Sequence, residues 1–195
     1  MQMSINKEIE KLKQLYSEQS YNEAYLLALK LSSQSVHEGL WVLGDFYFFG
    51  YSKVVEDRRQ ALELYEKALL LGSYKAGISL ASFYEPDFDD AAKNFQARDK
   101  SIAYYSKVFE LASKEANSGN PEAMYYLGLL YDSGLGIEEN KNIAFEWYNS
   151  AYINGYNFAL NKLYEFYSSK KSTFYNVDKA KKCLKELNDL GIRVV

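Results

Sequence analysis

The chain has 195 residues, is 48% hydrophobic, carries a formal net charge of −3, and holds one cysteine and two prolines. That length suits one domain or one short repeat array, and the acidic balance argues against a general nucleic-acid binder, which needs a basic footprint. A lone Cys183 excludes an intrachain disulfide framework and a multi-cysteine zinc site, and no apolar run reaches the roughly 18 residues of a membrane span.

The N-terminal stretch MQMSINKEIEKLKQ lacks the apolar run of a secretory signal, so a cytoplasmic location away from the membrane is expected. Residues 4–17 are predicted to form a charged amphipathic helix, with Ile5, Ile9, Leu12, Leu15 and Tyr16 on one side. Ser20 stands at the N-cap of a second helix that carries Ala24, Leu27, Ala28 and Leu31. Residues 1–35 are thus expected to cap the open end of an array. Residues 36–50 and 57–71 are predicted to form the next helix pair.

A helix over about 73–84 follows, stopped by Pro86. The stretch 85–100, EPDFDDAAKNFQARDK, is an insertion. Asp87, Asp89 and Asp90 would cap a short helix there, through Ala91 and Phe95. A long helix is expected over about 99–118, in one of two registers. One pairs Asp99 as cap with Ala103. The other takes Ser101 as the alanine equivalent and places Tyr104 and Tyr105 on the packing face.

The most regular stretch is 123–159. Asn120 and Pro121 open its first helix, and Ala123, Leu127, Leu130 and Tyr131 share one face. Gly128 has no side chain to hold a second helix away. Gly134 and Gly136 turn the chain, Asn140 caps the second helix, and Ala144, Trp147, Tyr148 and Ala151 form its apolar stripe up to Gly155. The last helix is expected over about 177–190, ended by Gly191. Residues 170–195 hold seven Lys/Arg and three acids, or +4, which leaves −7 for residues 1–169.

This pattern recurs. Ala123, Leu127, Gly128 and Tyr131 match Gly39, Leu43, Gly44 and Tyr47, then Ala76, Leu80, Ala81 and Tyr84, then Ala159, Leu163 and Tyr167, with Tyr164 replacing the glycine. A short polar residue stands four before an alanine at Ser20/Ala24, Asp57/Ala61, Asp99/Ala103, Asn140/Ala144 and Asn176/Ala180. First helices start at Gly39, Ala76, Ala123 and Ala159, intervals of 37, 47 and 36 residues. Such a period marks a helical repeat array.

The run Ala-x3-Leu-Gly-x2-Tyr-x2-Gly-x-Gly-Ile, then Ala-x2-Trp-Tyr-x2-Ala-x3-Gly-x3-Ala, resembles the Sel-one-like repeat family, relatives of tetratricopeptide repeats. One departure is that Tyr51 and Lys53 stand where a Gly-x-Gly loop is expected, in a loop one residue longer. The resemblance implies an all-α superhelix (solenoid) of antiparallel helix pairs in a single domain. The N-terminal pair, 1–35, is followed by repeats at 36–75, 76–122, 123–158 and 159–195. It also implies a protein-binding scaffold rather than an enzyme.

Chemistry-bearing motifs are sparse. There is no P-loop, no G-x-G-x-x-G and no H-E-x-x-H. No metal or cofactor is expected. His37 is read as an ordinary boundary histidine and Cys183 as a small core-facing thiol. Asp87, Asp89 and Asp90 lack the glycine and terminal glutamate of a calcium loop. The lysines of 179–185 form either a solvated helix face or a patch for an acidic partner.

The stronger signal lies at positions three, seven and ten of each first helix, the stripe that lines the concave surface in related helical-pair solenoids. Its predicted partner-binding members are Trp41, Asp45, Phe48, Ile78, Ser82, Tyr125, Leu129 and Asp132, followed by the more polar Asn161, Glu165 and Ser168. Aromatic anchors ringed by polar groups suit protein recognition. The function expected is a monomeric, non-catalytic scaffold for a protein or peptide. Bacterial members of the family include inhibitors of secreted toxins, so an antidote to a basic effector is the alternative, steered by the −7 charge. A hydrolase using acids of 85–100 is a third.

Overall fold

The computed structural model describes residues 2–85 and 95–193. Asp87, Asp89 and Asp90, and the short helix expected through Ala91, lie outside the described residues. Among the described residues every regular element is an α-helix: α1 Gln2–Ser17, α2 Tyr21–Ser33, α3 His37–Phe49, α4 Arg58–Leu70, α5 Tyr74–Phe83, α6 Phe95–Asn117, α7 Pro121–Ser133, α8 Lys141–Ile153, α9 Ala159–Ser168 and α10 Val177–Asp189. The chain falls into two compact units, residues 1–104 and 105–195.

In the first unit, Leu12, Ala24, Ala28, Leu31, Val42, Leu43 and Phe46 join α1, α2 and α3. A second cluster of Leu40, Ala61, Tyr65, Ala68, Ala76 and Leu80 joins α3, α4 and α5. In the second unit, Ala144, Tyr148, Leu163 and Phe166 join α8 to α9, with Tyr125 and Tyr131 of α7 against them. Leu160, Cys183 and Leu187 join α9 to α10. Most of these helices are too short to stand alone in water, so shared apolar faces hold each unit together. Trp147, expected on the apolar stripe of α8, is only half-buried.

The small residue of the motif sets how closely each pair packs. A Cβ on Gly44 would lie 2.4 Å from Cε1 of Tyr65, and one on Gly128 would lie 2.6 Å from Cδ1 of Tyr148. The two tyrosines, 2% and 0% exposed, lie flat on bare backbone. Burying an aromatic side chain this fully is worth about 1.5–3 kcal/mol.

A backbone bond closes three of the hairpins. The N–H of the residue capping the second helix donates to the carbonyl of the motif tyrosine: Asp57 to Tyr47 at 2.8 Å, Asn140 to Tyr131 at 2.8 Å, and Asn176 to Tyr167 at 2.9 Å. The longer loop at Tyr51 and Lys53 closes with the same bond. Ser52 takes the left-handed φ of 61°, and Tyr51 stacks on Tyr21 with ring centroids 4.6 Å apart. Asp57, Ser73, Asn120, Asn140 and Asn176 each accept a backbone N–H at the start of their helices.

Two expected caps differ. Ser20 precedes α2 without a side-chain bond. Asp99 lies inside α6, which begins at Phe95, so its carboxylate meets no free helix start. Ser101 is 4% exposed, Tyr105 3% and Val108 0%, whereas Ala103 is exposed. The register with Ser101 as the alanine equivalent is therefore the one adopted.

Candidate functional site

In the first unit the predicted stripe runs along α3 and α5. Trp41 is half-buried. Its ring meets Tyr16 edge-on at 5.7 Å, the Lys75 ammonium sits 4.8 Å from its centroid, and its indole N–H donates to Ser79 Oγ at 3.4 Å. Phe48, also half-buried, packs edge-on against Phe83 at 6.0 Å, with the Arg58 guanidinium 5.7 Å from its ring. Ile78 is half-buried and Ser82 exposed.

Asp45 is different. It is 6% exposed, because α1 lays Tyr16 across it. The Tyr16 hydroxyl donates to one carboxylate oxygen at 2.5 Å and the Tyr65 hydroxyl to the other at 2.6 Å. Burial pushes the Asp45 carboxyl above its ordinary range, and the two hydroxyls and the Lys75 ammonium pull back without cancelling it. The Tyr16 and Tyr65 hydroxyls are pushed far up, first by burial and then by the Asp45 charge. Sequence reasoning placed Asp45 on the stripe and missed both tyrosines as its partners. The spacing of Tyr65 four residues after Ala61, matching Tyr148 after Ala144, was the available signal.

In the second unit the stripe runs along α7 and α9. Tyr125 is half-buried, with ring centroids 5.5 Å from Tyr148 and 5.1 Å from Tyr156. Burial raises its hydroxyl, and the Lys162 charge opposes this. Leu129 and Asp132 are half-buried. Asp132 accepts from Lys141 Nζ at 3.0 Å and from the Tyr148 hydroxyl at 3.3 Å. Lys141 Nζ also donates to the Asp132 carbonyl. Partial burial lowers the Lys141 pKa, but Asp132 and Glu139 outweigh it and hold the ammonium above its usual value.

Asp132 opens onto a pocket of about 470 Å³. Its walls are the end of α7, the start of α8, the end of α9 and the loop that follows α9. Glu165, another stripe position, lies in the same wall, paired with Lys162 at 3.0 Å. Phe166 lines the pocket too, backed by Phe174 at 5.7 Å.

The remaining reactive groups are quiet. His37 Nδ1 lies 3.4 Å from Glu38 at the start of α3. Cys183 is 8% exposed, and burial pushes its thiol up. Among the described residues no group of three or more His, Cys, Asp or Glu is placed to hold a metal ion, and no helix is long and apolar enough to cross a membrane.

A Sel1 repeat family model matches residues 37–73 and 121–156. A chitin synthase regulator of Saccharomyces cerevisiae is 28% identical over 148 residues, which is 73% of this chain and 19% of that protein. The chain thus spans about a fifth of that relative's length. The crystal structure of a Sel1 repeat protein from Oxalobacter formigenes superposes with a TM-score of 0.52 at 21% identity, covering 94% of this chain and 68% of that one. A protective antigen of uropathogenic Escherichia coli, which displays an SLR fold, superposes with a TM-score of 0.53 at 22% identity, covering 94% and 38%. At these identities the two structures speak to fold alone. Sel1 repeats generally mediate protein–protein interaction, and proteins built from them are typically non-catalytic scaffolds. The chain thus carries two segments that match the Sel1 repeat model, and it shares its helical-pair fold with solved Sel1-like repeat structures.

Proposed function

We propose that the chain is a non-catalytic interaction module that holds a protein or peptide partner on the concave-surface stripe of its first helices. In the first unit the contact groups are Trp41, Phe48, Ile78 and Ser82; in the second they are Tyr125, Leu129 and Asp132. One observation carries this reading. On α7, Met124, Tyr126, Leu127 and Leu130 are buried, while Tyr125 and Leu129 are left half-buried on the remaining side. Large apolar groups held rigid at a surface supply contact area at little entropic cost, and such anchors dominate binding energy. Asp45 takes no part, since both its oxygens are engaged inside the first unit.

The test begins with affinity capture from native lysate and identification of the bound protein by mass spectrometry. Trp41→Ala and Tyr125→Ala are then titrated with that protein. A central aromatic anchor is worth about 2 kcal/mol or more, so each substitution is expected to weaken binding roughly thirtyfold while leaving the helical circular dichroism signal unchanged. Unaltered affinity in the double variant would reject the assignment.

A further inference from the structure

The pocket beside Asp132 has a chemistry that follows from which of its groups are already spoken for. Both acids in its wall have cations: Asp132 has Lys141 at 3.0 Å, which Glu139 shares at 3.4 Å, and Glu165 has Lys162 at 3.0 Å. Lys171 lines the same wall and, among the described residues, has no carboxylate within ion-pair distance. Ser169 and Thr173 also line it. The lining itself is charge-neutral, two carboxylates against two ammoniums, but among the described residues the pairing leaves Lys171 as its uncommitted cation, with two hydroxyl-bearing side chains in the same wall that can donate.

We propose that this pocket receives an aspartate or glutamate side chain from an acidic segment of the bound partner. The carboxylate would accept from Lys171 Nζ and from the hydroxyls of Ser169 and Thr173. A charge-assisted bond of this kind is roughly twice as strong as a neutral one. The local charge agrees, since residues 170–195 are net +4. The −7 of residues 1–169 would steer a basic partner instead, so recognition here is a short-range matter of paired groups. The proposal rests on the partner-binding reading above, and it names the chemistry of one position in that contact.

The test needs no identified partner. The ¹⁵N-labelled full chain is titrated with a blocked tetraglutamate peptide and, separately, with tetraglutamine, tetralysine and inorganic phosphate. The salt is 0.15 M, where exposed charges are screened beyond about 8 Å. Tetraglutamate alone is expected to shift the amides of residues 141–143 and 169–174, with Lys171→Gln weakening the response at least tenfold and Lys182→Gln, on the outer face of α10, leaving it unchanged. Three results would overturn the proposal: no shift at those amides; equal losses in both lysine variants, which marks unspecific attraction to α10; or tighter saturation by phosphate, which marks a small-anion site. The stripe reading fails separately, on unaltered partner affinity in Trp41→Ala and Tyr125→Ala.

Discussion

Asp45 offers the sharpest test of how the first unit is held together. Its carboxylate is 6% exposed and takes two tyrosine hydroxyls, from α1 at 2.5 Å and from α4 at 2.6 Å. A hydrogen bond to a charged group contributes about 1.5–3 kcal/mol. Tyr65→Phe removes one donor without altering the ring that lies on Gly44, so a loss of about 2 kcal/mol is expected. For a chain of this size that lowers the melting temperature by roughly 4–8 °C. Tyr16→Phe removes the other donor and loosens α1 as well. The chain has two tryptophans, one in each unit, so Trp147→Phe leaves Trp41 to report the first unit in urea titrations; Trp41 touches Tyr16 directly. Asp45→Asn completes a double-mutant cycle with Tyr65→Phe, expected to show a coupling of about 1 kcal/mol or more. The pH dependence has a definite sign. Burial leaves the folded Asp45 carboxyl above its unfolded value, so the folded state binds the proton more readily. Stability relative to Asp45→Asn should therefore fall as pH rises from the unfolded carboxylate value through the raised folded one, and level off on either side. If Tyr65→Phe costs under about 0.5 kcal/mol, or costs as much in the Asp45→Asn background as in the parent, the hydroxyl–carboxylate account is wrong.

Two further substitutions test the packing and the turns. Gly128→Ala puts a Cβ 2.6 Å from Tyr148, a side chain with no exposure and no room to swing; the overpacking cost of about 1–3 kcal/mol should exceed the ~1 kcal/mol gained in helix propensity, and net stabilisation in a urea titration read through Trp147 would contradict it. Ser35 takes a φ of 58° at the place where Gly72, Gly119 and Gly155 stand in the later turns, so Ser35→Gly should stabilise the first unit by about 1 kcal/mol, and a lower urea midpoint would refute the strain.

Spacing made the helix pairs legible. The first-helix motif depends on residues that pack within one hairpin, and those contacts repeat with the repeat. The same holds for Gly44 and Gly128, whose missing side chains mark where Tyr65 and Tyr148 lie. What the sequence hid depends on neighbours outside the hairpin. Position seven of α3 looks like a surface site until α1 lays Tyr16 over it, and residues 1–35 follow the repeat only loosely. Val42, at 2% exposure, is buried for the same reason: it packs in the cluster that joins α3 to α1 and α2. Asp99 looks like a cap, but α6 begins four residues earlier, at Phe95, and a capping side chain has nothing to satisfy inside a helix. The bonds from Asp57, Asn140 and Asn176 to the preceding tyrosine carbonyls are made by backbone atoms, which leave no trace in side-chain identity.

The glycine-packed tyrosines link the core of each hairpin to the stripe proposed as the contact surface. Tyr65 and Tyr148 are anchored alike, each flat on a first-helix glycine, so their hydroxyls emerge on the same side of that helix. Tyr65 finds Asp45 at position seven; Tyr148 finds Asp132 at position ten, one turn further on. Both positions belong to the predicted stripe. In the first unit α1 covers that place, and the acid is buried with two hydroxyls bonded to it and the Lys75 charge acting on it. In the second unit the acid stays half-buried, takes Lys141 as well, and faces an open pocket. One local device, a tyrosine hydroxyl delivered through the hairpin to an acid on the first helix, thus serves two ends. Where a neighbouring helix covers the acid it fastens the fold; where none does, it fixes the orientation of a carboxylate at a surface. What decides between them is the neighbour, which is why identical motif residues do not mark equivalent sites in successive repeats.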